Sequence, residues 1–257
     1  MEAATGRKLS EPVLETRGLT KSFAGFVAVK DVDLTIRANT VHALIGPNGA
    51  GKSTVFNLLT RFLDPTSGSV HFRGRDISRE KPATLARQGM VRSFQISAVF
   101  PHLSVLSNVM VALQQPQRMN FAFWRSTRGL GRLEPRALEL LSDLGLDAYA
   151  DRLAAELPYG RKRALEIATT LALDPEVLLL DEPMAGLARE DIAGTTELLR
   201  RVAQDRTILM VEHNLSVVAD LSDTITVLRR GEVLAEGSYD DVSCNRDVMQ
   251  AYLGTAA

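Results

Sequence analysis

The sequence has little of what marks secreted, membrane-spanning or nucleic-acid-binding proteins. Its 257 residues include a single cysteine, Cys244, so no internal disulfide can form and we expect a reducing compartment. No stretch approaches the roughly 20 apolar residues that a membrane-spanning helix needs, so we expect any work at a membrane to require a partner. The 30 lysine and arginine residues and 31 aspartate and glutamate residues leave a net charge of -1, which recruits neither nucleic acid nor anionic lipid.

The proportions of hydrophobic and charged residues are those of an ordinary globular protein. Hydrophobic residues make up 45% and charged residues 24% of the total, and a chain of this length can bury a substantial core. We expect one or two domains. The first 12 residues are polar and lack the apolar core of a signal peptide, so we predict a disordered tail there.

The most informative stretch is a glycine-rich segment that follows the apolar run Val41–Ile45. It matches the phosphate-binding pattern G-x-x-x-x-G-K-[ST] at every fixed position. Its residues are Gly46, Pro47, Asn48, Gly49, Ala50, Gly51, Lys52, Ser53 and Thr54. Glycines let successive backbone N–H groups turn toward a polyphosphate, and a helix N-terminus behind them favours the same charge. Lys52 adds a positive charge for the β- and γ-phosphates, and the Ser53 hydroxyl is a ligand for Mg²⁺.

Apolar periodicity predicts the fold around this segment. Val13–Leu19 and Val27–Ile36 alternate between apolar and polar residues, which indicates an antiparallel layer. The short runs Val41–Ile45, Val177–Leu180 and Thr207–Val211 alternate with helical patterns, which indicates parallel strands in a sheet covered on both faces. We therefore predict the α/β class: a P-loop NTPase core with a mostly parallel sheet, an N-terminal antiparallel β layer and an inserted α-helical subdomain.

The ends of the predicted strands carry the remaining candidate chemistry. One strand runs into Asp181 and Glu182, another runs into His213, and an earlier one ends at Gln95. Ligands of open α/β sheets bind beyond the carboxyl ends of the strands, so we expect these side chains to meet around one γ-phosphate. Asp181 would hold Mg²⁺ through water, and Glu182 would orient or deprotonate the attacking water. His213 would donate to a γ-phosphate oxygen, and Gln95 would reach both the metal and the water.

Each of these residues also has a plain structural interpretation. The pair Asp181 and Glu182 is compatible with a helix N-cap and first-turn charge. A histidine at the end of a strand, such as His213, is more often structural, and Gln95 is compatible with a polar strand terminator. The phosphate loop in the same chain favours the catalytic interpretation.

With these residues placed, the sequence from Val13 to Gly254 resembles the ATP-binding subunits of ABC transporters. The resemblance rests on seven motifs in the family's order. They are Phe23 as the adenine-stacking aromatic, Gly46–Thr54 as Walker A, Gln95 as the Q-loop glutamine, Leu157-Pro158-Tyr159-Gly160-Arg161 as the signature, Asp181 and Glu182 as Walker B with its catalytic glutamate, Ala185–Ala188 as the D-loop and His213 as the switch histidine. The resemblance implies ATP and Mg²⁺ as cofactors, with the metal held by Ser53, Gln95 and Asp181.

Finer features are similar to the ATPase subunits of importers of branched-chain amino acids and their urea and amide relatives. These features are the tyrosine in the signature, the Ala-Gly-Leu D-loop, the Val211–Asn214 switch and the ending Gln250–Gly254. By resemblance the partners are two membrane-spanning permease subunits, a second ABC ATPase in a homodimer or heterodimer, and indirectly an external solute-binding protein. The implied location is the cytoplasmic face of a bacterial or archaeal inner membrane, without nucleic acid as a partner.

Three positions depart from the family's usual pattern. Pro158 stands where a serine hydroxyl would contact the opposing nucleotide, and Arg161 stands where the family has glutamine. Ala188 replaces the usual Asp or Asn at the end of the D-loop. These changes affect the ATP site that the signature helps to close, while the Walker motifs of this chain are intact.

The composition and the apolar pattern, together with the resemblance, suggest domain boundaries. We predict a disordered tail over residues 1–12 and one ABC ATPase domain over residues 13–257. Within that domain, residues 13–95 and 158–257 would form the α/β core, and residues 96–157 would form the helical subdomain.

Two alternative functions stay open at this point. The first is a non-hydrolysing regulatory nucleotide-binding subunit, against which the intact Lys52, Asp181, Glu182 and His213 argue. The second is a soluble ABC ATPase of translation control or DNA repair, because kinship of fold alone does not decide function. Such proteins usually carry two cassettes or a long coiled coil, and neither fits within 257 residues.

Overall fold

The structure, a computed structural model, describes residues 11–93, 99–114 and 131–253. The contacts divide the chain into two compact units. Unit 1 comprises the described parts of Met1–Pro82 and Val202–Ala257, and unit 2 comprises the described parts of Ala83–Arg201. The predicted division at residues 96 and 157 falls inside unit 2, so the helical subdomain stays a prediction about part of that unit.

The strands agree closely with the apolar patterns. In chain order they are β1 Pro12–Phe23, β2 Phe26–Arg37, β3 Val41–Ile45, β4 Ser67–Phe72, β5 Arg75–Asp76, β6 Met90–Arg92, β7 Val177–Asp181, β8 Thr207–Val211, β9 Thr224–Arg229 and β10 Glu232–Gly237. The three runs that were predicted as buried parallel strands are β3, β7 and β8, and every residue in them is buried.

The helices are short. In chain order they are α1 Lys52–Leu59, α2 Pro82–Arg87, α3 Val105–Leu113, α4 Glu134–Asp143, α5 Tyr159–Leu171, α6 Arg189–Val202, α7 Leu215–Leu221, α8 Tyr239–Ser243 and α9 Arg246–Leu253. In the part of the chain that the structure describes, no helix combines the length and the apolar character that crossing a bilayer requires.

Unit 1 contains the predicted antiparallel layer. Its four strands follow the order β2-β1-β4-β5, and β1 pairs antiparallel with both β2 and β4. Leu14 lies between Ile36 on one side and Phe72 on the other, and all three side chains are buried. One face of this sheet is therefore apolar, as the alternating pattern predicts.

Unit 1 also contains the strand that leads into the glycine-rich segment. Strand β3 pairs parallel with β8 on one side and with β9 on the other, and β10 returns antiparallel on β9. Leu44 is level with Val211 of β8, so β3 and β8 end at the same edge of the sheet. The α/β class with an antiparallel layer is confirmed.

Unit 2 combines a parallel strand pair with packed helices. Strand β6 runs parallel to β7, with Arg92 opposite Leu179. Helices α3, α4 and α5 bury apolar side chains such as Val109, Leu141 and Leu165 against one another. This unit positions Asp181 at the end of β7 and the signature at the start of α5.

Candidate functional site

Two glycines shape the phosphate loop because neighbouring backbone leaves no space for a side chain. Gly46 has φ +149°, and a Cβ there would lie 2.2 Å from the carbonyl oxygen of Leu228 in β9. Gly51 has φ +101°, and a Cβ there would lie 2.7 Å from the carbonyl oxygen of Ala28 in β2. Both positions combine a backbone conformation that favours glycine with a close approach to another strand. The loop is thus held between two strands of unit 1.

Lys52 is folded back onto the loop that it follows. Its side chain is only 6% exposed, and Nζ donates to the carbonyl oxygens of Gly46 at 2.7 Å and Pro47 at 3.0 Å. Helix α1 begins here after Gly51, without a side-chain cap and without an acidic residue in its first turn. A helix N-terminus of this kind favours an anion, and Lys52 adds a full positive charge beside it.

The end of β8 brings a histidine to the same edge of the sheet. Glu212 is buried, and its Oε2 accepts hydrogen bonds from the backbone N–H groups of His213 at 2.9 Å and Asn214 at 3.0 Å. The Asn214 side chain in turn caps helix α7. These bonds fix the backbone on both sides of the exposed His213 side chain.

Phe23 lies at the tip of the β1–β2 hairpin, opposite Phe26. Its side chain is 42% exposed, and the Lys21 ammonium lies 5.1 Å from the centre of its ring. Strand β2 continues from this tip to Ala28, which lies against the phosphate loop at Gly51. An exposed aromatic ring of this kind can stack on a planar base.

In unit 2, Asp181 forms a buried ion pair that the sequence analysis missed. Its side chain is 3% exposed, and the Arg92 guanidinium donates to Oδ2 at 2.7 Å. Strands β6 and β7 are parallel neighbours, and this pairing places Arg92 close to the end of β7. The next residue, Glu182, has φ +49°, a conformation uncommon outside glycine.

The signature side chains contact segments of their own unit. Helix α5 begins after Pro158, which provides no side-chain cap. The Tyr159 hydroxyl donates to the carbonyl oxygen of Ala185 at 3.2 Å, which ties the signature to the predicted D-loop. The Arg161 guanidinium donates to the carbonyl oxygen of Gly145 at 3.1 Å and lies 5.6 Å from the centre of the Tyr149 ring.

A second arginine of α5 links the signature helix to the end of β7. The Arg163 guanidinium donates to the carbonyl oxygens of Pro183 at 3.1 Å and of Asp181 and Glu182 at 3.4 Å, and to the Glu166 carboxylate at 2.6 Å. This network fixes the backbone on which Asp181 and Glu182 stand. Signature, strand end and predicted D-loop therefore form one connected group in unit 2.

Two family models match the chain. The model described as ABC transporter matches residues 29–185, and the model described as branched-chain amino acid ATP-binding cassette transporter matches residues 232–257. The chain belongs to the ABC transporter ATP-binding family. The resemblance that the motifs indicated is thereby confirmed.

Relatives in this family align along nearly the whole chain. The high-affinity branched-chain amino acid transport ATP-binding proteins LivG of Salmonella typhimurium and BraF of Pseudomonas aeruginosa are 39% and 38% identical over 255 residues, which is 96% of this chain and 100% of theirs. A probable branched-chain amino acid transport ATP-binding protein LivG of Archaeoglobus fulgidus is 33% identical over 250 residues, 94% of this chain and 95% of its own.

Solved structures of ABC cassettes share the fold. A nucleotide-free ATP-binding cassette from an ABC transporter superposes with a TM-score of 0.82 at 28% identity, covering 94% of this chain and 99% of its own. A dimeric post-hydrolysis ATP-binding cassette bound to ADP and Pi superposes with a TM-score of 0.74 at 25% identity, covering 88% of this chain and 98% of its own.

The structure places the predicted site residues of this ABC cassette in two groups. Unit 1 holds the phosphate loop and His213 at one sheet edge, with Phe23 on the adjoining hairpin. Unit 2 holds Asp181, Glu182 and the signature. Gln95 lies outside the described residues, so its roles in metal binding and catalysis stay predictions.

The sequence analysis missed Arg92 and Arg163, although both are charged residues next to predicted motifs. Arg92 comes three residues before Gln95, and Arg163 comes two residues after the signature. A cation on the strand beside an acidic strand end was a usable signal for Arg92. The carbonyl contacts of Arg163 had no such signal, because backbone acceptors occur at every residue.

Proposed function

We propose that this chain binds and hydrolyses ATP and thereby powers a membrane importer of branched-chain amino acids or similar small polar solutes. The observation that carries the proposal is the phosphate loop, where Lys52 lies against an uncapped helix N-terminus that contains no acidic residue. LivG and BraF are high-affinity branched-chain amino acid transport ATP-binding proteins, which supports the choice of solute. ATPase activity is what this family of subunits supplies to a transporter.

The residues of the two units then take distinct roles. Lys52 contacts the β- and γ-phosphates, His213 donates to the γ-phosphate and Phe23 stacks on the adenine. Glu182 orients or deprotonates the attacking water, helped by Gln95. In phosphoryl transfer, positioning and charge stabilisation supply most of the catalysis, so the fixed backbone around Glu182 and His213 favours these roles.

The residues also fit Mg²⁺, which prefers oxygen ligands and keeps several waters and phosphate oxygens. Ser53 offers an exposed hydroxyl in the first turn of α1, and the Asp181 carboxylate, which is buried and paired with Arg92, would act on the metal through water. The described residues include no cluster of three or more histidine, cysteine or acidic side chains, and a metal bound with a polyphosphate needs no such cluster. When bound, Mg²⁺ neutralises charge that develops on the phosphates.

The proposed assembly contains two permease subunits and a second ABC ATPase at the cytoplasmic face of the inner membrane, served by an external solute-binding protein. In a head-to-tail pair, the signature residues Pro158, Tyr159, Gly160 and Arg161 face the nucleotide of the partner. Solved cassettes of this fold include a dimer bound to ADP and Pi, which supports a dimeric arrangement. Residues 96–157 would dock on the permease.

The experiment is to purify the tagged chain with its co-purifying membrane subunits and reconstitute the complex in liposomes. Phosphate release from ATP and ATP-driven uptake of labelled leucine are then measured. Lys52→Ala should lower phosphate release by roughly 10²–10³-fold, because it removes charge stabilisation of the transition state. Lys162→Ala, the matched change on helix α5, should lower phosphate release by less than about threefold.

The outcomes separate the parts of the proposal. Absence of ATP hydrolysis by the wild-type complex would overturn the ATPase assignment and favour a regulatory subunit. Hydrolysis without uptake of leucine, valine or isoleucine would overturn the assigned solute. Glu182→Gln should retain ATP without turning it over, while Glu190→Gln, the same change at an exposed position of α6, should behave as wild type.

A further inference from the structure

The last helix of the chain lies beside the phosphate loop. A cavity of about 260 Å³ in unit 1 is lined by Ile45, the residue before the loop, by Leu215 and Val218 of α7, and by Met249 and Tyr252 of α9. Helix α9 is anchored there by the buried side chains of Val248 and Ala251. The cavity wall thus joins the C-terminal helix, the strand that leads into the loop and the helix that follows His213.

Tyr252 contacts the loop through its hydroxyl group. The backbone N–H of Gly46, the first residue of the loop, donates a hydrogen bond to the phenolic oxygen. Burial raises the pKa of the Tyr252 phenol, and this hydrogen bond opposes part of that rise. The side chain is therefore a neutral phenol at physiological pH, with its ring against the apolar wall and its oxygen on the loop backbone.

Both the N–H and the carbonyl group of Gly46 form hydrogen bonds with side chains. Its N–H is bonded to Tyr252, and its carbonyl oxygen receives the Lys52 ammonium at 2.7 Å. Gly46 also packs closely against β9, because a Cβ there would collide with the carbonyl oxygen of Leu228. One backbone residue thus connects the Tyr252 hydroxyl to the phosphate-binding lysine.

We propose that Tyr252 is a positioning residue for the phosphate loop: its hydroxyl fixes Gly46 and thereby the carbonyl that holds Lys52 before nucleotide arrives. The inference rests on the proposed ATP-binding function and deepens it. The family model for the branched-chain group covers residues 232–257, which include α9, whereas the general model ends at residue 185. The C-terminal segment characteristic of this group therefore has a direct contact with the ATP site of the general family.

The test separates the hydroxyl from the ring. Tyr252→Phe keeps the ring in the cavity wall and removes only the acceptor of the Gly46 N–H. Tyr239→Phe is the matched control, because Tyr239 lines the same cavity and no hydrogen bond from its hydroxyl to the loop is found among the described residues. Both variants are made in the full chain, and thermal unfolding verifies that each is folded.

Three readouts are expected to respond to Tyr252→Phe and not to Tyr239→Phe. Hydrogen exchange of the peptide that contains Gly46 should become faster in the nucleotide-free chain, because its N–H loses its partner. The dissociation constant of a fluorescent ATP analogue should rise by about three- to tenfold, as expected for one lost neutral hydrogen bond. In the assembled complex, KM for ATP should rise while kcat stays unchanged.

Unchanged exchange at Gly46 and unchanged ATP affinity in a folded Tyr252→Phe chain would overturn the inference. Equal effects of the two tyrosine variants would also overturn it, since they would point to cavity packing. If the wild-type chain itself fails to bind the ATP analogue, the proposed function fails. The exchange measurement needs no nucleotide, so it still decides whether the hydroxyl holds Gly46.

Discussion

The chain contains two helix starts that its family associates with phosphate, and the two are built differently. Helix α1 and helix α5 both begin without a side-chain cap. At α1 the neighbours are glycines and a lysine. At α5 the first residues follow a proline, and a Cβ on Gly160 would lie 2.6 and 2.8 Å from the carboxylate oxygens of Asp191. The first turn of α1 contains a lysine and no acidic residue, whereas the first turn of α5 has a carboxylate against it.

In the proposed assembly, this difference would divide the phosphate-binding role between two chains. The loop at α1 is completed within unit 1, where strands β2 and β9 confine the glycines and Lys52 supplies the charge. The signature side chains at α5 are instead engaged with their own unit through Tyr159 and Arg161. In the proposed assembly, α5 would therefore offer its partner mainly backbone N–H groups, which Pro158 reduces by one.

The largest expected effect is on the free energy of unfolding, when a glycine near each helix start is replaced by alanine. Gly46→Ala puts Cβ 2.2 Å from a backbone oxygen in a strained conformation, so we expect a loss of about 3 kcal/mol or more in the free energy of unfolding. The atoms nearest to a Cβ in Gly160→Ala belong to the exposed carboxylate of Asp191, which can move, and alanine favours the helix. Urea denaturation of the full chain measures both.

Substitution of a third glycine measures the cost of a left-handed backbone conformation without a steric clash. Gly49 has φ +78°, but a Cβ there would meet nothing within 4 Å, so Gly49→Ala should cost about 1 kcal/mol. A loss for Gly160→Ala as large as for Gly46→Ala would contradict the comparison, because it would mean that both starts are equally confined.

Much of this architecture follows from local sequence. Buried strands such as β3 and β8 were predicted to the residue, because apolar runs between turn residues have few alternatives. Helices α7 and α8 were not predicted, because seven and five residues are too few to show helical periodicity. The start of each helix is fixed instead by a capping side chain. The signals at Asn214 and Ser238 are single residues that also occur in turns.

Contacts between distant residues could not be predicted in the same way. The phosphate loop was identifiable because its function requires a contiguous pattern. The contact of Tyr252 with Gly46 joins residues that are far apart along the chain, and the sequence analysis used the C-terminal ending only as a family feature. The direction of the Arg161 side chain toward Gly145 likewise depends on how α5 packs within unit 2. A single sequence, taken without aligned relatives, carries no signal for such pairs.

A buried histidine makes the stability of unit 1 sensitive to acid. His42 lies in β3, and burial lowers its pKa from 6.5 to about 4. Its Nε2 lies 2.7 Å from the Thr226 hydroxyl, which donates its own proton to Glu236, so Nε2–H is the donor in a neutral imidazole. As the pH falls from 6.5 to 4, the unfolded chain binds a proton that the folded chain does not, and stability decreases by up to about 3 kcal/mol.

The measurement is the free energy of unfolding between pH 4 and 7. His42→Gln should remove this part of the pH dependence, and His102→Gln, at an exposed position of unit 2, should leave it unchanged. A His42→Gln chain with the wild-type slope would show that other groups cause the acid sensitivity of unit 1.

A gain in ATP turnover is expected from a substitution at the start of α5. We expect Pro158→Ser to restore one N–H and one hydroxyl to the signature. Hydrogen bonds to charged groups typically contribute about 1.5–3 kcal/mol, so one restored bond that acts in the transition state raises turnover by roughly tenfold or more. The Arg161 guanidinium, bound to Gly145, does not replace it. The measurement is ATP turnover by the complex with the second ATPase.

The design depends on silencing one of the two ATP sites. In the proposed head-to-tail heterodimer, we expect Glu182→Gln to stop the site built on the Walker motifs of this chain, so that residual hydrolysis comes from the site that this signature closes. Adding Pro158→Ser should raise that residual rate, while Pro135→Ser, the matched change at the start of α4, should not. Unchanged residual turnover would mean that the partner's nucleotide needs neither group from position 158, and that the open N-terminus of α5 alone suffices despite the Asp191 carboxylate beside it.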